Sequence, residues 1–388
     1  MPQPILTIVD VAASAPDAWE QIRAAFATEP LALAIVFAAP GPWLEQLPSN
    51  LTGDVPVIGC TTAGEIGRAG YAEGTLLGIG LPAKDFAAET LFLDDLSDLE
   101  GEQLIGALIQ RRGALAEARP DWHHEFAFLL VDGLSCREDV LAPLLATGLG
   151  PVPLFGGSAA DGTRFLETRV LQGTAGVLAW KRNAAAVALV RTRCPIRVFR
   201  SDHLRPTATR MVVTDADPAR RIVRQINAEP AALEYARLLG KDPAQLTPFT
   251  FAAHPVVVRI GGRHHVRAIR QVADNGDLIF YSAIAEGMVL TLAEPQDMTA
   301  HLRAELEALA TPGAPAAILA CDCVLRRMEA QEKQKSHELS RLLAAHRVFG
   351  FSTYGEQFNA MHVNQTLTGV AIYPPADHPS DCPSAGGT

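Results

Sequence analysis

Short apolar runs that contain β-branched or aromatic residues recur along the whole chain and predict strands. Segments with a helical spacing of apolar residues lie between some of these runs. Strands and helices alternate, but hairpin-like strand pairs also occur. The pattern therefore predicts an α/β fold with mixed β-sheets and helices. The predicted strands are Ala32–Ala38, Val55–Gly59, Thr75–Leu81, Phe126–Val131, Val152–Gly156, Val177–Trp180, Ala185–Arg191, Val256–Ile260, His265–Val272, Leu278–Ala285, Met288–Leu292, Ala316–Cys321, Arg347–Phe351 and Thr366–Tyr373. The predicted helices are Ala18–Thr28, Glu100–Arg119, Arg137–Gly148, Pro218–Ala228, Ala231–Leu239, Pro295–Leu309 and Leu325–Ala345, and Ser135 and Glu138 have the spacing of a capping box before the third.

The chain contains an internal repeat. Residues 59–81 align with residues 350–372 without a gap, and residues 154–162 form a weaker third copy. Each copy follows an apolar strand and a connecting segment, which is helical in pattern for the last two copies. The sequence therefore predicts three repeated β-α-β-β units. Identical pairs include Gly59/Gly350, Thr62/Thr353, Gly64/Gly355, Glu65/Glu356, Thr75/Thr366, Leu76/Leu367 and Gly78/Gly369.

Each copy places glycines and hydroxyl side chains after a strand. Glycine permits positive φ and close backbone approach, and ligands of α/β sheets bind beyond the carboxyl ends of strands. One interpretation is a composite pocket for a ligand, and the alternative is a set of strand corners that need glycine only for turning. The residues of this predicted pocket are Thr61, Thr62, Glu65, Ser158, Asp161, Ser352, Thr353 and Glu356.

The composition is that of a globular protein. The 388 residues are 48% apolar and 20% charged, which excludes a disordered chain or a coiled coil. The net charge of −10, without a basic stripe, argues against nucleic acid and anionic membranes as partners. The N-terminus lacks the pattern of a signal peptide, and six cysteines are few for this length. We therefore expect a cytoplasmic protein with free thiols, ending in a disordered tail at residues 374–388.

Catalytic motifs are weak in this chain. Nucleophile-elbow, P-loop and dinucleotide fingerprints are missing, and Cys321 and Cys323 alone are weak evidence for zinc. We predict that the protein is not an enzyme. The alternative is Ser352 or Cys60 as a nucleophile with His362 as its base.

His362 lies between the third glycine turn and the last predicted strand, beside Tyr354, Phe358 and Met361. The repeat places Tyr71 at the equivalent position. An imidazole beside aromatic and thioether side chains is compatible with an axial ligand of a flat apolar cofactor such as haem. A hydrogen-bonded core histidine is the alternative interpretation.

Several segments resemble the FIST family of sensory domains. Residues 55–66, 132–135 and 155–161 resemble its N-terminal domain, and residues 256–262, 284–287, 321–328 and 350–356 resemble its C-terminal domain. The resemblance implies two closely associated domains, at residues 1–228 and 229–373. Residues 355–365 resemble the haem-containing, nitric-oxide-sensing branch of the family called NosP.

That branch implies a cytoplasmic sensor with b-type haem, in which His362 binds the iron and nitric oxide is the signal. In this hypothesis Phe351, Tyr354, Phe358 and Met361 line the porphyrin, and His254 is the second choice of iron ligand. The resemblance implies a histidine kinase or cyclic-di-GMP enzyme as the partner. Whether the protein forms a homodimer is left open. The alternative is a sensor without haem that binds a small polar metabolite, such as an amino acid, in the predicted pocket.

Overall fold

The computed structural model describes residues 4–174, 176–260, 262–311 and 313–375. It is a mixed α/β structure with several mixed sheets, as the sequence predicts. No described helix is long and apolar enough to cross a membrane. The helices are α1 (Ala18–Phe26), α2 (Gly101–Ala118), α3 (Glu138–Leu149), α4 (Ala231–Leu239), α5 (Pro248–Ala253), α6 (Met298–Leu309), α7 (Val324–Glu332) and α8 (Ser336–Ala345). The strands are β1 (Thr7–Ala12), β2 (Leu31–Ala38), β3 (Val57–Thr61), β4 (Glu65–Gly67), β5 (Gly70–Ala72), β6 (Thr75–Pro82), β7 (Phe86–Leu93), β8 (His124–Val131), β9 (Leu154–Ser158), β10 (Val170–Thr174), β11 (Val177–Lys181), β12 (Ala185–Thr192), β13 (Ile196–Ser201), β14 (Leu204–Asp217), β15 (Ile222–Ile226), β16 (Glu229–Pro230), β17 (Val256–Ile260), β18 (Arg263–Arg267), β19 (Ile269–Val272), β20 (Leu278–Phe280), β21 (Val289–Pro295), β22 (Ala317–Cys323), β23 (Val348–Thr353), β24 (Glu356–Phe358), β25 (Met361–Val363) and β26 (Leu367–Ile372).

Three six-stranded sheets share one plan, which confirms the predicted repeated units. In each, a parallel pair (β2 with β3, β8 with β9, β22 with β23) is extended by two antiparallel strands, giving the orders β1-β6-β2-β3, β7-β12-β8-β9 and β13-β26-β22-β23. Each unit then gives a hairpin to another unit: β4–β5 extends β23, β24–β25 extends β9, and β10–β11 extends β3. This cyclic exchange joins the three units into one core.

One glycine of each unit is required by close approach of the backbone. Gly59, Gly156 and Gly350 lie at matching positions of β3, β9 and β23. A Cβ atom there would meet a carbonyl oxygen of the neighbouring parallel strand at a distance that real Cβ atoms do not show. These distances are 2.2 Å to Val36 O, 2.3 Å to Leu129 O and 1.8 Å to Ala320 O.

Residues 204–295 form a separate eight-stranded sheet with the order β18-β17-β21-β14-β15-β20-β19, and β16 pairs with β15. Helices α4 and α5 cover it, and Tyr235 and Phe251 from them pack into its own apolar cluster with Met211, Leu278 and Leu290. The sheet therefore has a core distinct from that of the three repeated units.

Three local predictions are wrong. The expected helix at Pro218–Ala228 is a short 3₁₀ turn at Pro218–Arg220 followed by β15, because Arg221 adopts a left-handed conformation with φ 57° that stops a helix. The expected helix at Leu325–Ala345 is two helices, broken where Gln334 has φ 56°. In the described chain, α3 has no side-chain cap, because Ser135 Oγ donates to Asp132 O instead. The predicted disordered tail at 374–388 lies outside the described residues from 376 onward.

Candidate functional site

The three glycine turns meet where the parallel strands end. Ala63 N donates to Ser352 O at 2.9 Å, and Ala160 N donates to Thr61 O at 2.8 Å. Tyr354 N lies 3.4 Å from Ser158 O and completes the ring of contacts. The structure therefore brings the predicted hydroxyl residues of the three units together, because the exchanged hairpins draw the strand ends to one point.

The predicted pocket residues are all buried, and most of their side chains form hydrogen bonds with residues outside this set. Glu65 accepts hydrogen bonds from Thr62 Oγ1 and, at 2.7 Å, from Thr75 Oγ1. Glu356 accepts from Thr366 Oγ1 at 2.6 Å in the same way. Each glutamate thus ties the base of one hairpin to the strand that follows it.

Burial changes the acidity of both glutamates. Removal from water raises the pKa of Glu65 to about 7, although its hydrogen bonds and the charge of Arg327 act in the opposite direction. Burial also raises the pKa of Glu356 well above its ordinary value. Both carboxyl groups are therefore protonated more readily in the fold than in water.

Asp161 has a local structural role. Its carboxylate accepts hydrogen bonds from the backbone N–H groups of Phe165, Leu166 and Glu167 at 2.8 to 2.9 Å, and from the Tyr354 hydroxyl. The Tyr354 ring stacks on Phe165 with centroids 4.5 Å apart. Asp161 thereby fixes the loop after β9 against the turn after β23.

A cavity of about 350 Å³ opens beside the first glycine turn. Thr62 is the predicted pocket residue that lines it, and α7 forms the opposite wall through Arg327. Arg327 and Glu73 also line a neighbouring cavity of about 240 Å³. Gln331 lines both cavities as well, so these three side chains form a shared wall of the two cavities. The wall of the larger cavity is completed by Ala39, Pro40, Trp43, Ala63, Gly64, Gly74, Gly162, Thr163, Val324, Met328 and Gln331.

Arg327 is held in a fixed position. Its Nη2 donates to Ala72 O at 2.8 Å and lies 3.2 Å from Glu73 Oε1, while Nη1 lies 3.3 Å from Ser352 Oγ. Its guanidinium also lies 5.0 Å from the centre of the Tyr71 ring. Sequence reasoning missed Arg327 and Glu73 as site residues. The available signals were that Arg327 lies in the family-like segment 321–328 and that Glu73 lies within the repeat.

His362 lies in β25 with an exposed fraction of 3%. Its Nδ1 faces the Gln357 amide Nε2 at 3.3 Å, so in the neutral ring Nδ1 accepts and Nε2 carries the proton. Within the described chain, Nε2 has no hydrogen-bond partner. Burial lowers the pKa of His362 and keeps the ring neutral.

The other residues predicted to line a porphyrin lie in different surroundings. Phe351 stacks on Phe37 in the central core at 4.4 Å, and Tyr354 stacks on Phe165. Phe358 and Met361 pair on the hairpin that carries His362. In this arrangement the four side chains do not form one apolar face around His362, whose ring packs directly against Gly355. Iron binding by His362 stays a prediction.

His254 and the thiols occupy separate environments. His254 ends α5, is half-buried, and has its pKa lowered by burial and by Lys241. Cys60, Cys321 and Cys323 are buried, and burial raises the pKa of each thiol well above its ordinary value. A thiolate nucleophile at Cys60 is therefore disfavoured.

Residues of all three exchanged units line the larger cavity, and a charged pair stands in its wall. Residues 32–229 match the FIST N domain and residues 231–359 match the FIST C domain, so the chain belongs to the FIST family. FIST domains are sensory domains that bind small ligands and relay signals to partners. No curated protein matches the chain. The predicted domain bounds 1–228 and 229–373 stay predictions.

Proposed function

We propose that this chain is a sensor for a small metabolite that carries both a carboxylate and an amino group, bound in the 350 Å³ cavity between the first glycine turn and α7. The observation that carries the proposal is the opposite charges of Arg327 and Glu73 in the cavity wall.

The cavity matches such a ligand in size and chemistry. Its volume is near the lower end of small-molecule pockets, which hold about 300–1,000 Å³. The fork of Arg327 recognises a carboxylate, and Glu73 accepts from an ammonium group. Trp43 and Met328 supply apolar wall for a side chain. These features support an amino acid or a close relative.

Helix α7 supplies a route from the cavity to the eight-stranded sheet. Arg327 faces the cavity, and its neighbour Arg326 lies 2.7 Å from Asp322 and 2.8 Å from His203. His203 in turn lies 2.9 Å from Glu329 of the same helix, and residue 203 directly precedes β14. A ligand that binds one arrangement of Arg327 and α7 more tightly than another would shift this packing. We expect the readout to be a histidine kinase or a cyclic-di-GMP enzyme.

Isothermal titration calorimetry with the standard amino acids tests the proposal. We expect one or a few to bind the wild type saturably, and Arg327→Gln to weaken that binding at least about tenfold, as for loss of a charged hydrogen bond. Arg341→Gln is the matched control, because Arg341 is exposed on α8. Equal affinity in both variants would move the ligand to another site. Absence of binding by any amino acid would overturn the ligand class.

The second candidate is the haem-dependent nitric-oxide sensor. The unpartnered Nε2 atom of His362, within the part of the chain that is described, favours it. As an iron ligand, Nε2 would have to lose its proton to Nδ1, which requires the Gln357 amide to turn its oxygen toward the ring. The other residues of the predicted haem site would have to regroup around the ring.

Titration with hemin separates this candidate from the first. A sharp Soret band that shifts with nitric oxide and weakens in His362→Ala would support it. A band unchanged by that substitution would keep the haem and direct the search to His254. Broad, unsaturable binding by the wild type would overturn haem sensing and would leave the metabolite proposal untouched.

A further inference from the structure

Glu138 in the second repeated unit occupies a place that corresponds to that of Arg327 in the third unit. Helix α3 follows β8 as α7 follows β22, and the two strands have equal places in their sheets. Arg327 contacts the hydroxyl of Ser352, and Glu138 Oε1 accepts from the hydroxyl of the matching residue, Ser158, at 3.0 Å. The repeated architecture therefore places an acid in the second unit where the third has a base.

Arg221 fills the space in front of this acid. Its Nη2 lies 2.5 Å from Glu138 Oε2 and 3.1 Å from Asp139 Oδ2, and its Nη1 donates to Tyr281 O at 2.5 Å. Arg221 is 5% exposed and Glu138 is 1% exposed. The two carboxylates thus share Nη2 and the carbonyl oxygen meets Nη1, so the contacts use two separate nitrogens of one planar guanidinium, which the single nitrogen of an ammonium group does not offer.

The residue that supplies the guanidinium belongs to the eight-stranded sheet. Arg221 adopts a left-handed backbone conformation with φ 57°, directly before β15, which is uncommon for a side chain of this size. Asp139 Oδ2 also accepts from Ala283 N at 3.1 Å, beyond the end of β20. The first turn of α3 is therefore an attachment point of the eight-stranded sheet to the repeated core.

Polar groups without partners adjoin this contact. Gln357 Nε2 lies 3.0 Å from the same Ser158 hydroxyl that donates to Glu138. Gln357 is fully buried, and its Oε1, like His362 Nε2 beside it, has no hydrogen-bond partner among the described residues. Buried polar atoms are normally paired, so these two atoms are unused hydrogen-bonding capacity beside the contact between Ser158 and Glu138.

We propose that Glu138, Asp139 and the Tyr281 carbonyl form a guanidinium-binding site, which the chain fills with its own Arg221 and which accepts a small guanidinium compound when Arg221 is withdrawn. In the wild type the internal arginine fills the site and docks the eight-stranded sheet on α3. The site is separate from the cavity beside Arg327, so this inference does not depend on what that cavity binds.

Chemical rescue tests the site. We expect Arg221→Ala to lower the melting temperature and millimolar methylguanidinium chloride to restore part of the loss with a saturable dependence. Tetramethylammonium chloride at equal concentration controls for ionic strength and should have no such effect. The double variant Arg221→Ala/Glu138→Gln should show no rescue, and the wild type should show none because its site is filled.

Two results would overturn the proposal: no saturable rescue of Arg221→Ala, or equal rescue of the double variant. If Arg221→Ala does not fold unaided, the yield of refolded protein is measured by near-ultraviolet circular dichroism with and without methylguanidinium. We then expect a higher yield for Arg221→Ala alone, and an unchanged yield would likewise contradict the site.

Discussion

Arg327 and Glu73 form an ion pair of 3.2 Å in which one side chain is fixed and the other is free: the side chain of Arg327 is 6% exposed and that of Glu73 is 71% exposed. Arg327 is held by Ala72 and Ser352, whereas most of the Glu73 side chain is exposed to solvent. A pair of this kind contributes little to folding, because an exposed partner is well solvated. Its geometry instead suits recognition of a ligand whose carboxylate meets Arg327 and whose ammonium group meets Glu73.

We expect Glu73→Gln to leave stability within about 0.5 kcal/mol of the wild type, as for exposed substitutions, while weakening binding of an amino acid about tenfold through loss of the ammonium partner. Calorimetry and thermal unfolding on the same samples measure the two effects. Glu102→Gln, at an exposed position of α2, is the control. A large loss of stability with unchanged affinity would show that Glu73 has a structural role instead.

Stability should fall as the pH rises between about 4.5 and 7, because the pKa of Glu65 is raised from 4.5 to about 7 by burial. The folded state binds this proton more tightly than the unfolded state, so its contribution is complete below pH 4.5 and is lost through pH 7. The shift corresponds to an upper limit of about 3 kcal/mol.

Urea unfolding at pH 5 and pH 8 measures this effect, and Glu65→Gln should reduce the difference between the two pH values. Glu356, whose pKa is raised in the same direction, accounts for the pH dependence that remains in Glu65→Gln. An equal pH dependence in the wild type and in Glu65→Gln would contradict the assignment to Glu65.

Two glycine substitutions should separate close backbone approach from helix propensity. Gly156→Ala places a Cβ atom 2.3 Å from Leu129 O, so we expect a loss of about 3 kcal/mol or more, or failure to fold. Gly106→Ala in α2 meets no described atom within 4 Å and should stabilise by about 0.5–1 kcal/mol. Thermal unfolding compares them, and similar melting temperatures would refute the steric explanation.

Asp161→Asn should destabilise the loop after β9, because one amide oxygen cannot accept the bonds from three backbone N–H groups and the Tyr354 hydroxyl. We expect a loss of about 2–4 kcal/mol from the unpaired buried donors. Hydrogen exchange should locate the change at Phe165, Leu166 and Glu167. Asp121→Asn, at an exposed position, is the control, and unchanged exchange in Asp161→Asn would rule out this anchoring role.

The internal repeat was the most informative part of the sequence, and its consequences extend into the tertiary structure. The ungapped alignment of 59–81 with 350–372 pairs β4 with β24 and β5 with β25 residue for residue, although neither hairpin was predicted. Both hairpins are too short for a periodic pattern to identify, whereas their matching glycine and glutamate positions were visible. The long strand β14 also escaped prediction, because its exposure alternates only in part along its 14 residues.

The sequence by itself determined most of the strands that carry the core, the three repeated units, the close-approach glycines and the family. These properties depend on neighbours in the chain or on the spacing of identical residues. The tertiary structure alone decided which side chains meet at the sites: Arg327 lies 254 residues from Glu73, and Arg221 lies 83 residues from Glu138. These pairs form because each unit lends its hairpin to another unit and because the eight-stranded sheet docks on α3, and no local pattern encodes either contact. The same exchange buried the predicted hydroxyl and carboxyl residues in the centre and placed the cavity at their margin.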